Sequence, residues 1–394
     1  MRGVNAARPH VYNTATHAVE PLDETDVGLY VCGVTPYDTS HLGHAFTYAV
    51  FDVLVRYLRF LGRTVTYVQN VTDIDDDVLL RASKTDTDWK ELGEREYASF
   101  RDSMRRLGNL DPDVAPRATD HIPEMQKIIS GLIERGCGYE NEGSVYFNVK
   151  ADTGFGRLFN HSYDSMLQIA NERGNFPADP LKHDPLDFVL WQGQKPGEPA
   201  WESPWGRGRP GWHIECSAMA MKYLGNTITV HGGGEDLVFP HHDAEIAQSE
   251  NFTGVRWVRH WMHTAMVYCG EHKMSKSLGN MVFVGDLLDG MPADALRLHL
   301  LSHHYRTAWD QPTGAGVPTV ALAGRLAVAV GGAGAAGDDE IERYGAVFLE
   351  AMADDLDMPR AIAELERLAG SEEPGAQRAA KALGKRVLGL TFAT

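Results

Sequence analysis

The hydrophobic pattern near the N-terminus predicts a strand, a helix and a second strand in succession. Residues 27–32 form a short apolar run that ends at Gly33, which is typical of a buried strand. Apolar residues recur at helical spacing over 51–61, and Gly62 stands where a helix C-terminal cap belongs. Residues 64–71 alternate β-branched and aromatic side chains, as a strand does. This order indicates a βαβ unit, whose ligand site is expected beyond the carboxyl ends of the strands.

The remaining pattern divides the chain further. Residues 175–210 are rich in proline and glycine and are expected to form loops over a surface within an insertion. The α/β pattern then returns, with a helix predicted at 213–224 and a strand at 227–230. Near the end, the glycine- and alanine-rich residues 331–337 read as a flexible connector before an amphipathic segment at 346–368. A small helical domain is therefore expected at the C-terminus.

Composition and charge narrow the class of protein. The chain has 394 residues, enough for two or three domains, and no apolar stretch approaches the roughly 18 residues of a membrane span, so a cytoplasmic protein is expected. The formal net charge of −17 argues against nonspecific binding to polyphosphate, although a local basic patch can coexist with an acidic total. The chain has four cysteines, which are too few for a disulfide framework in a protein of this size. They are expected to be reduced thiols, metal ligands or core residues, and are Cys32, Cys137, Cys216 and Cys269.

Two short motifs have residue types suited to phosphoryl chemistry. "HLGH" places His41 and His44 at the predicted start of a helix, where imidazoles and backbone amides can stabilise a phosphoryl group. "KMSKS" places Lys273 and Lys276 in a polar loop, where two ammonium groups can hold a pyrophosphate leaving group. Taken singly, each motif is more often a solvated surface turn. Both together, in this order and separated by an insertion, favour the catalytic interpretation.

The chain resembles the class I cysteine-activating ligases, namely cysteinyl-tRNA synthetases and the mycothiol-pathway cysteine ligase that is similar to them. The resemblance extends over about residues 12–390 and rests on "VCGVTPYD", "HLGH", "NVTDIDD", "DPLDFVLW", "GRPGWHIECSAM", "HGGGEDLVFPHH" and "KMSKSLGN". It implies an α/β fold with a Rossmann-type class I synthetase catalytic domain, split by a connective insertion and followed by a small helical domain. The implied division is 1–110 for the first catalytic half, 111–205 for the insertion, 206–305 for the second half with the KMSKS loop, and 306–394 for the helical domain.

A zinc site is the second implication. Two thiols, an imidazole and a carboxylate suit tetrahedral Zn²⁺, but spacing alone does not identify them here, because no "CxxC" pair is present and buried free cysteines are common. By resemblance the ligands of one zinc ion per chain are Cys32, Cys216, His241 and Glu245. Zinc prefers sulfur, so an ion that binds the substrate thiolate would reject serine without an editing domain. The other two cysteines match no ligand position and are expected to be packing residues.

The resemblance also implies the substrate pocket and the first reaction. Residues Cys32, Gly33, Thr72 and Trp212 would surround the cysteine, and the adenylate would contact Thr35, Thr47, Asn70, Gly234, Asp236 and Val267. The cysteine carboxylate would attack the α-phosphate of Mg²⁺·ATP to form cysteinyl-AMP. His41 and His44 would stabilise the phosphorus centre while Lys273 and Lys276 hold the pyrophosphate.

The acceptor is less clearly marked. Cysteinyl-tRNA synthetases usually carry arginine after "HIGHA" and lysine after "DIDD", whereas this chain has Phe46 and Asp77, which would remove positive charge near the mouth of the site. The chain also ends at Thr394, where an anticodon-binding domain would normally follow. In the other direction, Glu245 keeps a zinc ligand that the mycothiol ligase lacks. A ligase joining cysteine to a small amine is therefore expected, with a short cysteinyl-tRNA synthetase or a non-enzymatic nucleotide- or RNA-binding regulatory paralogue as alternatives.

Overall fold

The computed structural model describes residues 8–37, 40–274, 278–312, 314 and 316–393. The strands in chain order are β1 (His10–Asn13), β2 (Ala18–Pro21), β3 (Asp26–Val34), β4 (Thr64–Val71), β5 (Gly138–Asn141), β6 (Ser144–Phe147), β7 (Phe188–Gly193), β8 (Gly208–Pro210), β9 (Ile228–Gly234), β10 (Val258–Thr264), β11 (Val267–Cys269), β12 (His272–Lys273) and β13 (Trp309–Gln311). The α-helices are α1 (Leu42–Phe60), α2 (Asp76–Thr85), α3 (Trp89–Arg106), α4 (Ile122–Glu134), α5 (Tyr163–Glu172), α6 (Trp212–Leu224), α7 (Asp243–Thr253), α8 (Val284–Gly290), α9 (Ala293–Leu301), α10 (Val320–Gly331), α11 (Asp338–Ala353), α12 (Met358–Ala369) and α13 (Pro374–Arg386).

A four-stranded parallel sheet lies at the centre, with strand order β10-β9-β3-β4. Most residues of its strands are buried, as expected where both faces of a parallel sheet are covered. Because all four strands run in one direction, their carboxyl ends meet at a single edge. That edge carries Cys32 and Gly33 of β3, Asn70 of β4, Gly234 of β9 and Thr264 of β10. A ligand site is expected at this edge of an open α/β sheet.

The predicted βαβ unit is confirmed. β3 and α1 include the predicted strand and helix, and β4 begins and ends at the predicted residues. Gly62 follows α1 with φ +82°, a left-handed conformation that glycine adopts without steric cost. One boundary was wrong: the strand predicted at 227–230 continues as β9 to Gly234. Glycines weaken a strand prediction, yet here they allow close packing, because a Cβ at Gly232 would lie 2.1 Å from the Phe51 ring.

An antiparallel sheet of order β5-β6-β7-β8 has its first three strands within the predicted insertion at 111–205, whereas β8 lies just beyond it. The prediction that 175–210 forms loops over a surface was wrong for part of that stretch, because β7 and β8 lie within it. Leu190 and Trp191 of β7 are fully buried, and β7 pairs with β6 on one side and β8 on the other. The short apolar run of β7 has β partners along both edges, and this tertiary pairing outweighs the surrounding prolines and glycines.

The last part of the chain is helical except for β13, which pairs in parallel with β11. The amphipathic segment predicted at 346–368 is not one helix, since α11 ends at Ala353 and α12 begins at Met358. Between them Asp355 and Leu356 have φ values of 53° and 52°, which no α-helix accommodates. The four domain boundaries given above stay a prediction. Among the described residues, no helix has both the length and the apolarity needed to cross a membrane.

Candidate active site and metal site

Four buried side chains with metal-binding atoms converge at the carboxyl edge of the central sheet. Cys32 ends the apolar run of β3, Cys216 lies in α6, and His241 and Glu245 lie just before and at the start of α7. One ligand atom from each lies within 4.8 Å of all the others. His241 Nε2 is 2.8 Å and Cys32 Sγ 3.4 Å from Glu245 Oε1. The structure thus brings together the four residues predicted to bind zinc.

The donor atoms fit a zinc ion in chemistry as well as in position. Burial opposes ionisation of Cys216, but a hydrogen bond from Cys32 and the proximity of His241 lower the pKa of Cys216 to about 7. Burial raises the pKa of Glu245 well above its ordinary value, and Glu245 Oε2 has no hydrogen-bond partner among the described residues. A buried carboxylate oxygen without a partner is costly, and a cation would compensate it. Two sulfurs, one nitrogen and one oxygen form a donor set that Zn²⁺ accepts.

The residues around the cluster fix the orientation of His241. His213 Nδ1 and His241 Nδ1 are 2.9 Å apart, and the Trp212 ring stacks on the His241 ring with centroids 4.0 Å apart. Burial and the nearby His241 hold the pKa of His213 well below its ordinary value, so His213 is neutral near pH 7. When His213 Nδ1 accepts the proton of His241 Nδ1, the Nε2 atom of His241 keeps its lone pair for a metal.

Sequence reasoning missed two histidines beside this cluster. His231 and His242 form a second group of potential ligands with Cys32 and Glu245, again with all four atoms within 4.8 Å of one another. His231 Nε2 is 3.5 Å from Cys32 Sγ and 3.4 Å from Glu245 Oε2. The sequence signal for both residues was the motif "HGGGEDLVFPHH", which begins at His231 and ends at His242. This signal can be interpreted only once β9 is known to include His231.

The "HLGH" histidines stand at the start of α1, as predicted. His41 is the N-cap residue, and its Nδ1 accepts a hydrogen bond from Gly43 N at 3.1 Å. A neutral His41 therefore carries its proton on Nε2. The rings of His41 and His44 stack with centroids 3.8 Å apart. Burial lowers the pKa of His44 to about 4, so the His44 side chain is neutral near pH 7 and offers a hydrogen bond rather than a charge.

The predicted cysteine pocket lies between β3 and β4. Gly33 N donates to Asn70 Oδ1 at 2.8 Å, and Asn70 Nδ2 lies 3.3 Å from Cys216 Sγ, which connects the pocket to the metal cluster. A Cβ at Gly33 would lie 1.6 Å from the carbonyl oxygen of Asn70, so only glycine fits there. The hydroxyl oxygens of Thr35 and Thr72 are 2.7 Å apart. Two residues of the predicted cysteine pocket, Gly33 and Thr72, therefore each contact a residue predicted to bind the adenylate.

The residues predicted to contact the adenylate are spread along the same edge. Thr47 of α1 and Thr264 at the end of β10 are joined by their hydroxyl groups at 2.7 Å. Val267 begins β11, three residues further on, and is buried. Gly234 ends β9, and a Cβ there would lie 2.6 Å from Asp236 Oδ1. These residues therefore lie at or near the carboxyl edge of the central sheet, and their roles stay predictions.

Of the two lysines of "KMSKS", the structure describes only Lys273. Lys273 Nζ lies 3.5 Å from Asp236 Oδ2, which is the predicted ribose partner, and both side chains are largely exposed. Lys276 lies outside the described residues. The segment that follows is anchored beside "HLGH", since Leu42 N donates to Val282 O at 2.9 Å and Val284 N donates to Ser40 O at 3.0 Å. The segment at 282–284 therefore lies beside the start of α1.

The interpretation of Phe46 as a change at the mouth of the site was wrong. Phe46 is fully buried and packs edge-to-face on Trp309, with ring centroids 5.7 Å apart. Its side chain faces the core because it lies on the inner face of α1, four residues before another buried position, Val50. Asp77 is exposed in the first turn of α2, as that interpretation required. Of the two positions where this chain lacks a basic residue that cysteinyl-tRNA synthetases usually carry, only Asp77 is therefore at the surface.

We expect two buried histidines to destabilise the protein below about pH 6.5. Burial lowers the pKa of His44 from 6.5 to about 4 and that of His263 to about 3. The unfolded chain takes up protons at these imidazoles as the pH falls through 6.5, whereas the folded protein does not do so until about pH 4. The contribution of these imidazoles to the free energy of unfolding should therefore decrease over this interval, and the fall in Tm between pH 6.5 and 5.5 should be smaller in His44→Gln than in the wild type; the comparison cancels the buried carboxyl groups of Asp75 and Asp243, whose pKa values of about 7 act in the opposite direction. A His44 resonance, assigned with His44→Gln, that titrates near pH 6.5 would contradict the interpretation.

Comparisons with known proteins agree with this geometry. The family described as "tRNA synthetases class I (C) catalytic domain" matches residues 18–313. The chain is 50% identical over 304 residues to "Cysteine--tRNA ligase" of Thermodesulfovibrio yellowstonii, a match that covers 75% of this chain and 62% of that protein. It spans less than two thirds of the length of the cysteine–tRNA ligases that it matches.

A second kind of relative matches over nearly the whole chain. "L-cysteine:1D-myo-inositol 2-amino-2-deoxy-alpha-D-glucopyranoside ligase" of Thermomonospora curvata is 43% identical over 398 residues, which covers 97% of this chain and 94% of that protein. Among solved structures, Mycobacterium tuberculosis methionyl-tRNA synthetase bound to methionyl-adenylate superimposes with a TM-score of 0.65 at 16% identity, covering 92% of each chain. At this identity the likeness concerns the fold alone.

Proposed function

Because the chain belongs to the class I (C) tRNA synthetase catalytic-domain family, we propose that it is an ATP-dependent ligase that activates L-cysteine as cysteinyl-AMP and transfers it to the amine of a small acceptor. The observation that carries the proposal is the buried cluster of Cys32, Cys216, His241 and Glu245, which lies at the sheet edge beside Asn70 and Gly33. A thiol-specific site next to a nucleotide cleft suits an enzyme that activates cysteine.

The cysteine would be held by its sulfur at this cluster. A zinc ion bound there supplies a Lewis acid that binds a thiolate in preference to an alcohol. His213 keeps the Nε2 atom of His241 directed at the cluster, and Trp212 stacks on the same ring. Both contacts restrict the position of the substrate side chain. Serine, which lacks the sulfur, would lose this interaction, so discrimination would occur at binding.

In the first half-reaction, an oxygen of the cysteine carboxylate attacks the α-phosphorus of ATP, and the bond from that phosphorus to the pyrophosphate oxygen breaks. Negative charge on the phosphoryl oxygens would be stabilised by hydrogen bonds from His41 and His44 at the N-terminus of α1. Lys273, together with Lys276, would neutralise the departing pyrophosphate. Mg²⁺ would accompany the nucleotide.

In the second half-reaction, the nitrogen of the acceptor amine attacks the carbonyl carbon of cysteinyl-AMP, AMP leaves, and an amide forms as the nitrogen loses a proton. The similarity to the Thermomonospora curvata ligase, which extends over nearly the full length of both chains, supports a small amine as the acceptor. The alternative is transfer to the 3′ end of a tRNA. The 50% identity to a cysteine–tRNA ligase and the presence of Glu245 in the metal cluster favour that alternative.

Pyrophosphate exchange tests the activation step. We expect the purified, zinc-loaded protein to exchange labelled pyrophosphate into ATP when cysteine and Mg²⁺ are present, and at least about a hundredfold more slowly with serine. If no exchange is seen, the proposed enzymatic activity is refuted, and the alternative of a non-enzymatic regulatory paralogue is supported. Mass detection of products from glucosamine-containing amines and from a tRNA transcript then distinguishes the two acceptors, since robust charging of the transcript would overturn transfer to a small amine.

A further inference from the structure

Arg173 reaches from the insertion to the segment between β9 and α7, a contact to which the proposed reaction assigns no role. It is the C-cap residue of α5, within the predicted insertion at 111–205. Its Nη1 atom donates hydrogen bonds to two carbonyl oxygens, those of Asp236 and Phe239. Asp236 is the predicted partner of the nucleotide ribose, and Phe239 stands two residues before the predicted zinc ligand His241. One guanidinium nitrogen thus holds the backbone between two parts of the candidate site.

These two carbonyl groups need a donor from outside their own segment. In a continuing α-helix the carbonyl of Asp236 would accept from the amide four residues on, but that residue is Pro240, which has no N–H. The carbonyl of Phe239 would accept from the amide of Asp243, which donates instead to the carbonyls of Pro240 and Val238. Phe239 itself has a non-helical backbone, with φ −137° and ψ 137°. The Nη1 atom of an arginine carries two protons, one for each carbonyl.

The two ends of this segment differ in how firmly they are held. At the far end, Phe239 is buried, and its ring stacks on the ring of Phe159 in the insertion with centroids 5.3 Å apart. At the near end, the Asp236 carboxylate lies 3.5 Å from Lys273 Nζ, and 39% and 59% of these two side chains are exposed. An exposed ion pair of this kind contributes little. The position of Asp236 therefore depends more strongly on the hydrogen bond from Arg173 than the position of Phe239 does.

We propose that Arg173 is a positioning residue for the nucleotide: by holding the backbone carbonyl of Asp236, it fixes the Asp236 carboxylate where the ribose hydroxyl groups of ATP can donate to it. This inference rests on the proposed function, in which Asp236 binds the ribose. An acceptor that is already in place binds more tightly, because less conformational freedom is lost when the ligand arrives. Arg173 itself contacts no reacting atom, so its loss should weaken only the interactions that Asp236 makes.

Nucleotide binding to the zinc-loaded full chain tests the proposal. Without cysteine, ATP is not consumed, so its affinity can be measured by calorimetry in the presence of Mg²⁺. The wild type should bind ATP more tightly than 2′,3′-dideoxy-ATP, which lacks both ribose hydroxyl groups. Arg173→Met should weaken ATP binding by about 10-fold, as expected when a hydrogen bond to a charged group is lost, and should leave the affinity for 2′,3′-dideoxy-ATP unchanged. Arg173→Lys keeps hydrogen-bond donors and should recover part of the ATP affinity.

Two further variants separate positioning from general support of the fold. Asp236→Ala should weaken ATP binding by itself, and adding Arg173→Met to it should cause no further loss, because both substitutions act through one contact. Arg157→Met is the matched control. Arg157 also reaches from the insertion towards α7, but it pairs with Glu250 at 2.6 Å and not with the segment that carries Asp236, so this variant should keep the wild-type affinity for ATP.

The proposal is overturned if Arg173→Met leaves ATP binding unchanged, or if it weakens ATP and 2′,3′-dideoxy-ATP equally. The second result would mean that the arginine supports the whole pocket. Arg173→Met should also keep its zinc, and a loss of zinc would overturn the proposal for the same reason. If Arg173→Met does not fold, Arg173→Gln replaces it in each comparison. A wild type that binds ATP but exchanges no pyrophosphate with cysteine would refute the proposed function instead, because the binding comparison requires no turnover.

Discussion

Cys216→Ser should abolish zinc binding and cysteine activation together. The substitution replaces one of two sulfur donors with a hydroxyl group, which does not ionise near neutral pH and binds zinc weakly. The remaining ligands, Cys32, His241 and Glu245, lie within the same buried cluster but no longer form a closed set of four. Elemental analysis should show zinc falling from about one ion per chain to a small fraction of that. Cysteine-dependent pyrophosphate exchange should fall by about a thousandfold or more, corresponding to the several kcal/mol that a Lewis acid contributes.

Cys137→Ser is the matched control for this prediction. Cys137 is also buried, at 6% exposure, but it lies in the insertion with its Sγ 3.6 Å from Asn251 Oδ1 and belongs to no group of potential metal ligands among the described residues. The Cys137→Ser variant should therefore retain its zinc and its pyrophosphate-exchange activity. If Cys216→Ser retains a full complement of zinc, the cluster is not the metal site. If it loses zinc but keeps cysteine activation, the metal is structural and the substrate sulfur binds elsewhere.

The elements that form the catalytic edge could be predicted from the sequence because each has its own local signal. The apolar run of β3, the helical period of α1 and the alternation of β4 all act over short distances along the chain, and the structure has these elements where the pattern predicted them. The four ligand residues required the resemblance as well, since Cys32 and Cys216 are 184 positions apart and no spacing rule connects them. Their convergence depends on the order of the strands in the sheet.

Sequence reasoning failed where a side chain's neighbours come from distant segments. Phe46 was taken for a residue at the mouth of the site, although it packs on Trp309, which is far away in sequence. The buried strand β7 was hidden by prolines and glycines that belong to its connections. In each case the decisive information was burial, which a single sequence does not contain.

Asp52→Asn should lower the free energy of unfolding by about 3 kcal/mol or more, because it leaves a buried cation without its counterion. Arg297 is fully buried, and its guanidinium group donates to Asp52, to Asn109 Oδ1 at 2.7 Å and to the carbonyl oxygen of Leu388. These contacts join α1, α9 and the C-terminal residues. Asparagine keeps the size of the aspartate but only one acceptor oxygen, so the variant loses the charge and also the hydrogen bonds of one oxygen, since Oδ1 accepts from Leu110 N and Oδ2 from Arg56 and Arg297. Urea unfolding followed by circular dichroism measures the change.

The same experiment on an exposed pair shows whether burial is the cause. Asp111 binds Arg105 at 2.8 Å, but about half of each side chain is exposed, at 49% and 53%. Asp111→Asn should therefore cost less than about 1 kcal/mol. Adding Arg297→Met to Asp52→Asn should recover part of the lost stability, because the unpaired charge is then replaced by an apolar side chain that fits a buried site. If Asp52→Asn costs no more than Asp111→Asn, the buried ion pair between α1 and α9 does not stabilise the attachment of the C-terminal helices.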